Sequence, residues 1–175
     1  MKTITNLSNY LEEYSIYYLS RYSISKKKFE YILTRKVMRD FLSGKLSIKQ
    51  KNESEKIIEK IIKIFVSKKI IKEELLVDNK ISYLLNKGSS LKKIKLILFK
   101  DKFENFLINK KIKELELIKD IDFKSLENFC KKKKLGKYNS KWDDTNNKIY
   151  EKTLSKLLRE GFEYEMCKQF LGSKG

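Results

Sequence analysis

The chain has 175 residues, enough for one compact domain or a few small helical modules that bury a core. It carries 41 Lys and Arg against 23 Asp and Glu, a net charge of +18 that points to a polyanionic partner. There is no His, which excludes His general bases, His-paired nucleophiles and His metal ligands; Cys130 and Cys167 stand far apart without a CxxC, so neither a zinc site nor a disulfide framework is suggested.

The positive charge has a second reading. Nearly all of it is Lys, and Ile and Asn are abundant too, the composition of an AT-rich coding background. Composition alone leaves open how much of the Lys is a functional basic face and how much is solvated surface.

Proline is absent and long apolar patterns of period 3.6 dominate, which predicts an all-α protein of about nine helices. The first helix is expected from Asn9 to Tyr22, and the second follows Ser25 and continues to Leu42. The polar stretch "LSGKLSIKQKN" (42–52) breaks the pattern. A third helix follows over 53–68, with Ile58, Ile61, Ile62 and Phe65 on one stripe. The fourth is expected over 73–87, the fifth over 90–100 and the sixth over 103–117. The seventh spans 122–134, "LGKYNSKW" is a loop, the eighth begins after Asp143–Thr145 and reaches Glu160, and the ninth covers 163–171. Asp143 and Asp144 read as acidic groups favouring a helix start. No apolar run is long enough to span a membrane, and "MKTITNLSNYLEEY" has no apolar core of a signal peptide. With the free cysteines, a reduced, cytoplasmic setting is expected.

One pattern recurs. Leu19, Leu84 and Leu157 align, followed by Ser23, Gly88 and Gly161, then Ser25, Ser90 and Glu163, then Phe29, Ile94 and Cys167, then Ile32, Ile97 and Phe170, and finally Leu33, Leu98 and Leu171. The Gly column suits a helix stop, Ser25 and Ser90 suit N-caps, and the last residues form a core stripe. Cys167 is thus expected to be a small core residue. Any helical hairpin needs a stop, a cap and a stripe. Three of equal length predict tandem three-helix modules over 9–68, 73–117 and 122–171, together elongated and curved.

Several passages resemble the RecX family, regulators of the RecA recombinase. "YYLSRYSISKKKFEYILTRKVMRDF" (17–41) is similar to the family's opening repeat, with its Tyr-Leu-x-Arg-Tyr-x-x-Ser core and basic second helix. "LLNKGSSLKKIKLIL" (84–98) resembles the central signature and "LLREGFEYEMCKQFL" (157–171) the C-terminal ending. "KKKKLG" (131–136) resembles a basic-Leu-Gly passage before the last helix pair. The resemblance covers nearly the whole chain in order. It departs at 72–75: Lys72 and Glu73 replace the family's frequent acidic pair, and Leu75 stands where it often has Arg. A contact made through that Arg has no counterpart here.

The resemblance implies a non-enzymatic protein without cofactor or metal that binds RecA and its filament on single-stranded DNA and restrains its activity. Independently, there is no phosphate-cradling Gly loop, metal cluster or nucleophile constellation. Phosphate in a filament groove would draw a Lys-rich face. The candidate contacts are Arg21, Lys26, Lys27, Lys28, Arg35, Lys36 and Arg39 in the first hairpin, and Lys92, Lys93 and Lys95 in the second. Lys131, Lys132, Lys133 and Lys134 form a separate run. Arg35 and Arg39 lie four apart on one helical face, although a salt-bridge role suits them equally. Such contacts carry no base information, so non-specific, salt-sensitive nucleic-acid binding is expected. Tyr17, Tyr18 and Tyr22 read better as packing than as a base-stacking platform. Trp142 reads equally as a partner anchor or as a lid over the third module. The rival readings are a stand-alone nucleic-acid-binding helical protein and a protein-only helical scaffold. A monomer is the default.

Overall fold

The computed structural model describes residues 4–142 and 146–172. Among them lie nine α-helices, one 3-10 turn and no strand, so the chain is all-α. The helices are α1 (Leu7–Leu19), α2 (Lys26–Leu42), α3 (Ile48–Ser67), α4 (Glu73–Lys87), α5 (Leu91–Lys100), α6 (Asn105–Glu116), α7 (Ile121–Lys133), α8 (Asn147–Arg159) and α9 (Tyr164–Leu171). None is long and apolar enough to cross a membrane, and no group of described His, Cys, Asp or Glu residues could hold a metal ion.

The chain divides into two compact units. The first gathers the described residues of Met1–Leu76 with Asp101–Glu104; the second gathers Val77–Lys100 with those of Asn105–Gly175. In the first unit, Phe29, Leu33 and Val37 recur every fourth residue on α2 and so share one face. That face packs with Leu7 and Leu11 of α1 and with Ile58, Ile61, Ile62 and Phe65 of α3. The Phe29 and Phe65 rings stack with centroids 6.4 Å apart. Each such side chain contributes about 1.5–3 kcal/mol by leaving water. In the second unit, Leu126, Phe129 and Cys130 of α7 pack with Tyr150 and Leu157 of α8 and with Phe162, Cys167 and Leu171 around α9. Cys167 is fully buried, as a core residue should be. The helices of the second and third expected modules thus fall mainly in one unit.

Several local expectations change. α1 begins at Leu7, where the Asn6 side chain accepts from the Asn9 N–H, and ends at Leu19 instead of Tyr22. Ser23 is therefore not a helix stop like Gly88 and Gly161, which lie at φ +82° and +90°. α3 begins at Ile48, five residues earlier than its apolar stripe suggests. Ser47 and Gln50 close a reciprocal capping box, and the polar residues after it form the solvated face of the first turns. Trp142 folds back over the second unit's core, its ring 6.3 Å from that of Tyr150, and so is not an exposed anchor. Asp143 and Asp144 lie outside the described residues; α8 starts at Asn147 and is capped by Asn146.

Gly88 has two reasons to be glycine. Its φ of +82° ends α4 in the left-handed region. A Cβ there would sit 2.5 Å from the Phe129 backbone nitrogen and 2.9 Å from the Ser125 carbonyl oxygen, so it also lets α4 and α7 approach closely.

Candidate nucleic-acid interface

The turns that present the basic helices are held by a device used twice. Ser25, in extended backbone, accepts a hydrogen bond from the Lys28 N–H and thereby caps α2. Its hydroxyl donates to the Asp101 carbonyl oxygen at 2.6 Å. The Lys28 ammonium pairs with the Asp101 carboxylate at 3.0 Å, and the Lys26 N–H donates to the Glu73 carboxylate at 3.3 Å. Ser90 repeats every part. It caps α5 through the Lys93 N–H and donates to the Glu160 carbonyl oxygen at 2.7 Å. Lys93 pairs with the Glu160 carboxylate, and the Leu91 N–H donates to Asp122 at 2.8 Å. In each clasp a serine, the N–H after it and the lysine three residues on meet two acidic residues further along the chain, one in a helix (Glu73 or Asp122) and one in a turn (Asp101 or Glu160). Burial pushes the Glu73 and Asp122 carboxyls above their ordinary range, and the hydrogen bonds from Lys26 and Leu91 offset part of this.

The clasps also change the alignment of the third hairpin. The α8–α9 turn does not contain a clasping serine; it supplies the acceptor. Its counterpart is the α5–α6 turn: Asp101 matches Glu160, Lys102 at φ +60° matches Gly161 at φ +90°, and buried Phe103 matches buried Phe162. Ile108 and Ile112 match Cys167 and Leu171 in the core. Gly161 has a further constraint, since a Cβ would lie 2.7 Å from the Ser90 hydroxyl.

The expected contact cations fall into distinct groups. Lys36 is a correction. Its side chain is only 12% exposed, and its ammonium is committed to Asp40 at 2.5 Å and to the Tyr10 hydroxyl. Tyr10 in turn donates to Asp40 at 2.7 Å. Burial alone would raise the Asp40 carboxyl, but the hydrogen bonds from Lys36 and Tyr10 outweigh it and hold the carboxyl below its ordinary value. Lys28 and Lys93 are engaged in the clasps. Lys26 and Lys27 face Glu104 at 3.8 and 3.3 Å but stay about half exposed.

The remaining cations are more available. Arg21 is exposed and lies over the Tyr17 ring at 4.2 Å. Arg35 lies over exposed Tyr31 at 5.7 Å, and Lys102 over the same ring at 4.1 Å; Arg39 is exposed one turn beyond. Tyr31, Arg35, Arg39 and Lys102 thus make a basic-aromatic patch on the first unit. Tyr18 packs on that unit's core, whereas Tyr17 and Tyr22 are about half exposed. On the second unit Lys92 is exposed, Lys95 is half-buried, and Lys131, Lys132, Lys133 and Lys134 are all exposed at the end of α7. Lys132 donates to the Asn86 carbonyl oxygen. Lys134 ends the helix at φ +52°. Lys92 and Lys95 border a groove with Leu96, Phe99, Leu158 and Arg159.

Lys102 and Arg159 were not among the expected contacts. Lys102 has no local sequence signal, because it reaches Tyr31 only through the fold. Arg159 had one: it is the fourth arginine of a chain that otherwise uses lysine. Phosphate-directed contacts of this kind position a polyanion without reading bases. No protein-family model, no curated protein and no solved structure matches this chain.

Proposed function

We propose that the chain is a RecX-like regulator that binds RecA and its filament on single-stranded DNA and restrains the recombinase. Repeated helical hairpins would let a small protein touch more than one protomer along a helical partner. The observation that carries this reading is the twice-built clasp. It seats the hairpins of two of the passages that resemble the family, 17–41 and 84–98, and each hairpin's second helix carries exposed cations. Repetition of a basic module fits an extended partner better than it fits a single duplex site. No catalytic group or cofactor is part of the proposal.

A plain non-specific nucleic-acid-binding protein is the second reading, favoured by the net charge of +18 and by the patch of Tyr31, Arg35, Arg39 and Lys102. Co-sedimentation separates the two. The regulator reading expects retention on preformed RecA filaments at a salt concentration where binding to naked single-stranded DNA is lost. Equal loss from both with salt would support the second reading.

A further inference from the structure

The groove beside α5 has a composition that phosphate binding does not explain. It measures about 430 Å³ and is lined by Lys92, Lys95, Leu96, Phe99, Leu158 and Arg159, together with the clasp around Glu160 and Gly161. Leu96 is 52% exposed, Phe99 38% and Leu158 38%. Leu96 and Phe99 are three residues apart on α5 and share a face, and Leu158 adjoins them from the end of α8. Their other neighbours on these helices, Ile94, Leu98 and Leu157, are fully buried, so this stripe is not the core-facing one.

The groove's charge is one-sided. Lys93 and Glu160 neutralise each other in the clasp. Lys92 and Lys95 carry no ion pair among the described residues, and Arg159 spends one N–H on the Ser155 carbonyl oxygen at 3.3 Å. Three cations therefore rim an apolar floor, and the carboxylate among the lining residues, Glu160, is taken up by Lys93. A phosphodiester would meet the rim and leave the floor wet. Only Phe99 offers a face for a nucleobase, whereas Leu96 and Leu158 offer aliphatic contact. An apolar side chain flanked by carboxylates would satisfy floor and rim together.

We infer that this groove is a protein-docking site for an acidic peptide segment carrying an apolar anchor. The anchor rests on Leu96, Phe99 and Leu158, while carboxylates on either side meet Lys92, Lys95 and Arg159. This assignment goes beyond DNA contact. Its test needs no recombinase, and DNA enters only as a comparison probe, so its failure is distinct from a failure of the regulator reading.

The experiment is fluorescence anisotropy with the full chain and three labelled probes: a short Asp/Glu-rich peptide with a central Leu-Phe pair, the same peptide with that pair replaced by Ser-Ser, and a thymidine oligonucleotide of equal charge. The apolar acidic peptide is expected to bind most tightly. Leu96→Ser and Phe99→Ser, both at exposed positions, are expected to weaken it by roughly tenfold or more each and to leave oligonucleotide binding unchanged. Circular dichroism verifies that both variants keep their helices. The proposal is overturned if the two peptides bind alike, since charge alone then suffices. It is also overturned if the variants weaken the oligonucleotide instead. A concentration-dependent dimer abolished by Leu96→Ser would overturn it too, by assigning the groove to a second copy.

Discussion

Replacing Gly88 with alanine tests the close approach of α4 and α7. The new Cβ would lie 2.5 Å from the Phe129 nitrogen, 2.7 Å from its Cα and 2.9 Å from the Ser125 oxygen, all backbone atoms that no rotamer change can move aside. The left-handed φ costs about 1–2 kcal/mol for a residue with a Cβ, and forced overpacking adds about 1–3 kcal/mol. Stiffening of the unfolded chain returns roughly 0.4–1 kcal/mol. The control is Gly44→Ala, at φ +72° with nothing within 4 Å of its Cβ, where only the backbone cost applies. Urea unfolding followed by the helical circular-dichroism signal should therefore show Gly88→Ala to be more destabilising by about 1–3 kcal/mol. Equal losses at the two positions would refute the close approach, because backbone strain alone would then account for both.

Other predictions follow from the clasps and the buried groups. Ser25→Ala and Ser90→Ala each remove an N-cap and a hydrogen bond to a distant turn, so each should lower stability by roughly 1–2 kcal/mol; a loss of only a few tenths in both would show that the clasp does not hold. Asp40→Asn leaves the Lys36 ammonium without its counter-charge, at a cost of roughly 3 kcal/mol near neutral pH. Because the folded state holds the Asp40 carboxyl below its ordinary value of 3.8, its contribution is complete above that pH and fades as the pH falls through the lowered value. The stability gap between wild type and Asp40→Asn should therefore close in acid, and a gap that persists at low pH would contradict the assigned network. Desolvation raises the Cys130 thiol to about 12 and the Cys167 thiol to about 11. An aromatic disulfide reagent near pH 8 should thus modify both only after unfolding, and fast labelling of the native protein would place a thiol at the surface.

Much of the helical fold was legible because its signals are local. The stripe of Ile58, Ile61, Ile62 and Phe65 faces the core as its spacing requires, and Ser25 and Ser90 cap helices as their residue type suggests. The early start of α3 was obscured because its first turns are polar on nearly every side, although Ser47 and Gln50 carried the capping signature. The end of α1 was overrun because Tyr22 continues the aromatic spacing of Tyr14 and Tyr18 without being helical.

The site was less legible, since charge says nothing about pairing. Lys36 and Arg39 look alike in a basic helix, yet one lies against a buried aspartate and the other faces solvent. The relation between the α5–α6 and α8–α9 turns was hidden because Lys102 takes the left-handed conformation that Gly161 advertises by its identity. The hydroxyl that each clasping serine sends to a distant turn has no sequence signature, because it depends on tertiary packing alone.

The most direct test of the functional account is the single-stranded-DNA-dependent ATPase of the cognate RecA, titrated with this protein at moderate salt. The account predicts inhibition well below one molecule per RecA protomer, as action on a filament requires. Inhibition only at stoichiometric levels, relieved by excess DNA, would contradict it and leave a protein that merely competes for DNA.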